Sequence, residues 1–240
     1  MNINLNLNNF RKKVVMRAPL LSYSGYGTHS RQIFKWLLAN KNIDVYTEIV
    51  PWGITPWMIN PDLEGGLVSE IMSRSRPGNS YDVSIQVQLP NEWDPALAKK
   101  NIGVSAVVET DICNSSWIES CNRMDHVVVP SEFTKSVLQN TGTITTNLSV
   151  IPESFYDAII DENIKPIDLK LDTNFNFLIF GQLTGNLPEN DRKNILNTLK
   201  WFCEVFSDDP DVGIVIKTNS GRNTTIDKKI TGNIMSQVIS

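Results

Sequence analysis

Two histidines, three cysteines and no long apolar run set the first limits on what these 240 residues do. His29 and His126 stand far apart, and Cys113, Cys121 and Cys203 form no CxxC pair. A His/Cys metal centre is therefore poorly supplied, and no metal is expected. An odd number of scattered cysteines also argues against a disulfide framework and for a reducing, cytoplasmic compartment. No stretch approaches the roughly 18 to 20 apolar residues that a membrane-spanning helix needs. The Asn-rich start, MNINLNLNNFRKK, puts its charges after its leucines, unlike a signal peptide. The sequons at Asn114, Asn147 and Asn223 would matter only in a secreted chain. Basic residues do not dominate either: 22 Lys and Arg face 26 Asp and Glu, for a net charge of -4, so a basic nucleic-acid-binding surface is not expected.

Hydrophobic residues at 41% and charged residues at 20% are the balance of a folded globular chain. Short β-rich runs alternate with helical patterns throughout. The run VVMRAP reads as a first strand. Thr28 to Ala39 reads as a first helix, with Ile33, Phe34, Leu37 and Leu38 on one face. IDVYTEIV, YDVSIQVQL, NIGVSAVVET, DHVVVP and LSVIPES follow as strands, separated by the helical patterns LVSEIMSRS, SSWIESCNRM and SEFTKSVLQNTG. Ser131 is a good N-cap for the last of these, and Gly142 lies beyond its end. PWGITPWMINPDLEGG, with two tryptophans among its prolines and glycines, reads as an ordered loop. Continuous apolar strands separated by helices predict an α/β fold, a Rossmann-like doubly wound parallel sheet. It covers residues 1–160. A charged junction, 161–174, leads to a second, shorter unit at 175–240, with room for two strands and two helices. Two parallel strands leave faces and edges uncovered.

Three segments could carry chemistry, because open α/β sheets bind ligands beyond the carboxyl ends of their strands. The first is GYGTHSRQIFKWLL, residues 25 to 38. Gly25 and Gly27 permit close approach and positive φ, and amides opening a helix favour an anion; a tight turn also needs glycine for steric reasons alone. The second is VVETDICNSSW, in which Glu109 and Asp111 follow an apolar run. Carboxylates there accept a proton or bind sugar hydroxyls, unless they cap the next helix or stay solvated. The third is FGQLTGNLPENDRKN, where Arg192 and Lys193 open a helix. Cations at that end oppose the helix dipole unless an anion neutralises them; the alternative partners are Glu189 and Asp191. His29 is a candidate base beside the first turn, while His126 reads as structural. Ser131 lacks a surrounding GxSxG and reads as a cap rather than a nucleophile.

The run ETD…SSWIESCNRMDHVVVPSEFTKSVLQNTG…LSVIPES, followed by FGQLTG…RKN and GIVIKT, resembles the GT-B glycosyltransferases, in particular the large retaining family 4. The likeness extends from Val14 to about Lys217. It implies two facing Rossmann-like domains, with a nucleotide-sugar donor held mainly by the second and a glycan or lipid-linked acceptor mainly by the first. It implies no cofactor and no metal, because basic side chains and helix dipoles stabilise the departing diphosphate. By the resemblance, Gly25 and Gly27 match the glycine loop at the cleft, Lys193 the phosphate-binding lysine, and Glu109 a residue near the acceptor. Gly181 and Gln182 close the first strand of the second domain; the family often has an arginine where Gln182 stands, a loss for which Arg192 is placed to compensate. The family's later E-x7-E donor motif does not occur by Ser240.

The expectation is therefore a metal-independent hexosyltransferase of polysaccharide biosynthesis, cytoplasmic or peripheral to the membrane. The 240 residues are either a fragment of a longer enzyme or a truncated product. The rivals are a truncated GT-B-like binding module without turnover, and another Rossmann-type nucleotide-sugar enzyme. The latter is disfavoured because no GxGxxG follows the first strand.

Overall fold

A computed structural model describes residues 11–75, 80–160, 164–185 and 187–239. The chain forms two compact units; the first runs to Phe155, apart from Ile54–Pro56, and the second comprises those three residues and the chain from Tyr156.

In the first unit the β-branched runs form six strands: β1 (Lys12–Ala18), β2 (Ile43–Ile49), β3 (Tyr81–Val87), β4 (Ala98–Val104), β5 (His126–Val129) and β6 (Asn147–Val150). They pair in the order β2-β1-β3-β4-β5-β6, and every pair is parallel. The connecting helices are α1 (Gly25–Ala39), α2 (Leu63–Ser73), α3 (Ser116–Asn122) and α4 (Glu132–Thr141). This is a Rossmann-like α/β sheet. Its chain runs outward from β1 in one direction to β2 and in the other from β3 onward. The crevice between β1 and β3, at their carboxyl ends, is thus the topological switch point where such sheets take ligands.

Phe34 and Leu37 of α1 pack with Val14, Met16 and Ala18 of β1 and with Val68 and Ile71 of α2. A second cluster joins Ile118 and Cys121 of α3, Val127 and Val129 of β5, and Val137 and Leu138 of α4. Beside them, a polar ladder crosses the interior. Asn101 Oδ1 accepts from the Ser84 hydroxyl at 2.8 Å, and the Gln86 amide donates to Ser84 Oγ and to the Asp94 carbonyl while its oxygen accepts from Asp94 N–H. Trp93 lies flat against Gly103, its ring 2.7 Å from where a Cβ would stand. That contact, rather than any unusual torsion, requires the glycine.

In the second unit β7 (Phe175–Gln182) and β8 (Val212–Asn219) pair in parallel, with α5 (Ile195–Phe206) and α6 (Thr225–Ile239) following them. Phe177 meets Phe202 and Phe206 of α5 at ring distances of 5.6 and 5.4 Å. Leu178 and Phe180 alternate to the other face of β7 and remain 67% and 76% exposed.

Candidate functional site

Three sequence expectations are corrected at the carboxyl ends of the strands. Gly25 and Gly27 do not form a loop ahead of the helix; they are its first turn, since α1 begins at Gly25 rather than Thr28. Neither has a positive φ. Ser24 caps the helix, its Oγ accepting from Gly27 N–H at 3.0 Å and its carbonyl from Thr28 N–H at 2.9 Å. The amide of Gly27 is therefore already satisfied by the chain. What Gly27 supplies is space: a Cβ there would collide with the Ser22 carbonyl, whereas one at Gly25 would meet nothing within 4 Å. For Gly27 the steric reading is the correct one.

Arg31 fixes the Ser22 carbonyl in turn. Its Nη1 donates to Leu20 O at 3.1 Å and Ser22 O at 2.9 Å, and its Nε pairs with Glu64 at 2.5 Å. Lys35 reaches the other Glu64 oxygen at 3.1 Å. Burial pushes the Glu64 carboxyl up, but Lys35 and Arg31 outweigh it, and the group titrates below its ordinary range. Glu64 reaches this place because the backbone of Glu64, Gly65 and Gly66 turns left-handed at the start of α2. An arginine on an apolar helix face was the available sequence signal for this clamp.

The second correction concerns Glu109 and Asp111. The strand β4 ends at Val104, so neither carboxylate follows it directly. Both are exposed, on a loop that leaves the sheet through Val107. Tyr26 of α1 crosses to this loop: its hydroxyl lies 3.0 Å from Ser105 Oγ and accepts from Ala106 N–H at 2.9 Å. Burial pushes the Tyr26 phenol up, with the Ser105 hydrogen bond opposing, so it stays protonated at neutral pH. Trp52 stacks on its ring at 3.9 Å and 20°. The structure thus brings the first turn of α1, the loop after β2 and the loop after β4 together at the switch point.

His29 lines a cleft of about 500 Å³ between α1 and the sheet, with Gln32, Trp36, Ile85, Ile102 and Val128 among its walls. Its Nδ1 is buried and has no hydrogen-bond partner among the described residues. Burial lowers the His29 pKa while the Glu153 carboxylate pulls it up; the first effect wins, and the imidazole is neutral near pH 7. A neutral histidine beside a carboxylate has the chemistry of a base. His126 instead pairs with Ser149 Oγ at 2.8 Å between β5 and β6, the structural role expected of it. Ser131 caps α4, accepting from Thr134 N–H at 3.1 Å.

The third correction lies in the second unit. Arg192 and Lys193 precede α5, which starts at Ile195. Gly181 and Gln182 are the last two residues of β7, and Lys193 Cβ stands 3.9 Å from where a Cβ on Gly181 would be. Gly181 and Lys193 therefore share the carboxyl end of β7, both Arg192 and Lys193 being exposed. The anion position on the helix is filled by the chain itself. Asp191, 4% exposed, accepts from Ile195 N–H at 2.6 Å, Leu196 N–H at 3.1 Å and the Thr184 hydroxyl at 3.1 Å. Any phosphate here would rely on side chains, since these two amides are taken.

No protein-family model and no curated protein matches this chain. Among the described residues, no group of three or more His, Cys, Asp or Glu side chains could hold a metal ion, and no helix is long and apolar enough to cross a membrane. Tyr26, Ser105 and Val107 are the switch-point residues that sequence reasoning passed over. Of these three only Tyr26 carried a signal, being set between the two glycines.

Proposed function

We propose that the chain is a glycosyltransferase of GT-B type, moving a sugar from a nucleotide-sugar donor to a glycan or lipid-linked acceptor. The supporting observation is the carboxyl end of β7, where Gly181 and Lys193 stand together and a basic pair precedes the helix. Lys193, with Arg192, is assigned to the diphosphate, whose departure needs positive charge placed in advance. In the first unit, the switch-point loops are assigned to the acceptor. Glu109 and His29 are its candidate proton acceptors, and Asp111 an exposed carboxylate two residues on.

Calorimetric titration with UDP, GDP and ADP tests this reading. One nucleoside diphosphate is expected to bind selectively, and Lys193→Ala to weaken it at least tenfold. Binding of none of the three removes the donor site and with it the transferase.

A binding module without turnover is the second reading. It is favoured by the Asp191 carboxylate occupying the start of α5, and by the apolar face of β7 that Leu178 and Phe180 expose. Titration with the same three nucleotides separates the two readings.

A further inference from the structure

The loop that leaves β4 holds a backbone conformation that its own residue disfavours. Val107 has φ +57°, in the left-handed region, where a β-branched side chain crowds the backbone. Such a residue keeps that conformation only where its surroundings over-determine it. Here they do. Val107 N–H donates to Ser105 Oγ at 3.2 Å, and that oxygen lies 3.0 Å from the Tyr26 hydroxyl, which also accepts from Ala106 N–H. Tyr26 in turn is pressed under Trp52.

The far end of the loop is tied as well. Cys113 N–H donates to Thr141 Oγ1 at 2.9 Å, and Asn140 Nδ2 to the Asp111 carbonyl at 3.3 Å, both near the end of α4. Between the two ties the chain carries Glu109 and Asp111 to the carboxyl edge of the sheet. One tie depends on a single phenolic oxygen belonging to a helix 80 residues earlier in the chain.

We propose that Tyr26 is a positioning residue: through Ser105 and Ala106 its hydroxyl holds Val107 in the left-handed turn, and so sets where Glu109 stands. The consequence for turnover rests on the transferase reading; the latch itself does not. Tyr26→Phe removes the oxygen and keeps the ring.

Hydrogen exchange of the 106–112 segment, followed by mass spectrometry, tests the latch. Tyr26→Phe and Ser105→Ala are expected to speed exchange there at least tenfold, with β1 and β5 unchanged. Unchanged exchange in Tyr26→Phe overturns the latch. A second arm follows nucleoside diphosphate released from nucleotide sugars. Tyr26→Phe should lower kcat while the donor KM stays at the wild-type value. Wild-type kcat despite faster exchange overturns the positioning role. A wild-type chain that consumes no nucleotide sugar sinks the transferase reading and likewise the positioning role in turnover, while the exchange result still decides the latch.

Discussion

Gly25 and Gly27 stand two residues apart in one helical turn, yet alanine should act on them with opposite signs. At Gly25 a new methyl meets open space, so the change removes backbone freedom from the unfolded chain and stabilises by about 0.5 kcal/mol. At Gly27 the methyl runs into the Ser22 carbonyl and comes within 3.1 Å of Arg31 Nη1. Neither neighbour can yield freely, because that carbonyl accepts from the same guanidinium, itself buried and paired with Glu64. Forcing a methyl into packed structure costs about 1 to 3 kcal/mol. Weakening a charged hydrogen bond adds about 1.5 kcal/mol or more. A loss of about 3 kcal/mol follows for Gly27→Ala, which lowers the melting temperature by roughly 6 to 12 °C in a unit of this size. Urea unfolding followed by tryptophan fluorescence measures it selectively. Trp36, Trp52, Trp57, Trp93 and Trp117 lie in the first unit and only Trp201 in the second. If Gly27→Ala unfolds within 0.5 kcal/mol of wild type, the steric account of this turn is wrong.

Arg31→Met should destabilise the first unit by about 3 kcal/mol or more, because Glu64 and two backbone carbonyls lose a buried partner; urea midpoints will show it. Asp191 is pushed up by burial but pulled further down by the N–H groups of Leu196, Thr184 and Ile195 and the Thr184 hydroxyl, so its folded pKa lies below the unfolded value of about 3.9. Its contribution is therefore full above about pH 4 and lost as pH falls through the folded pKa. Asp191→Asn should cost about 1 kcal/mol at pH 7 and flatten that acid dependence, read from Trp201 fluorescence. Cys121 is fully buried, and burial pushes its thiol up to about 12. A thiol reagent at pH 8 should label Cys113 and Cys203 in the native protein and reach Cys121 only after unfolding.

The alternation of β-branched runs with amphipathic segments was enough to find the eight strands among the described residues, because strands of a parallel sheet read as continuous apolar runs, even in β7, whose second face lies open. The side-chain cap at Ser131 was legible. The start of α1 was not. Glycine promises a loop by propensity, but Ser24 and the crowded Ser22 carbonyl turn Gly25 to Gly27 into helix. Glu109 was misplaced for a related reason: AVVET continues the apolar pattern of β4, yet the strand ends at Val104 because Ser105 and Ala106 turn to Tyr26 instead. Asp191 stands in the sequence, with Glu189, only as an alternative partner for Arg192; the pattern does not reveal the four hydrogen bonds it accepts from nearby amides and a hydroxyl. Each miss involves a contact made by a backbone group, which the side-chain pattern does not record.

The polar ladder between β3 and β4 bears on how this sheet finds its pairing. Parallel strands with apolar residues on both sides can slide past one another by two residues and still bury the same kind of surface. Here a slip would carry Gln86 away from the Asp94 backbone and the Ser84 hydroxyl away from Asn101, leaving the Gln86 carboxamide and the Ser84 proton dry and unanswered. Each stranded group would cost about 1 to 3 kcal/mol. The ladder thus works as a key between two otherwise interchangeable ribbons, penalising every mispaired sheet more than it strengthens the right one.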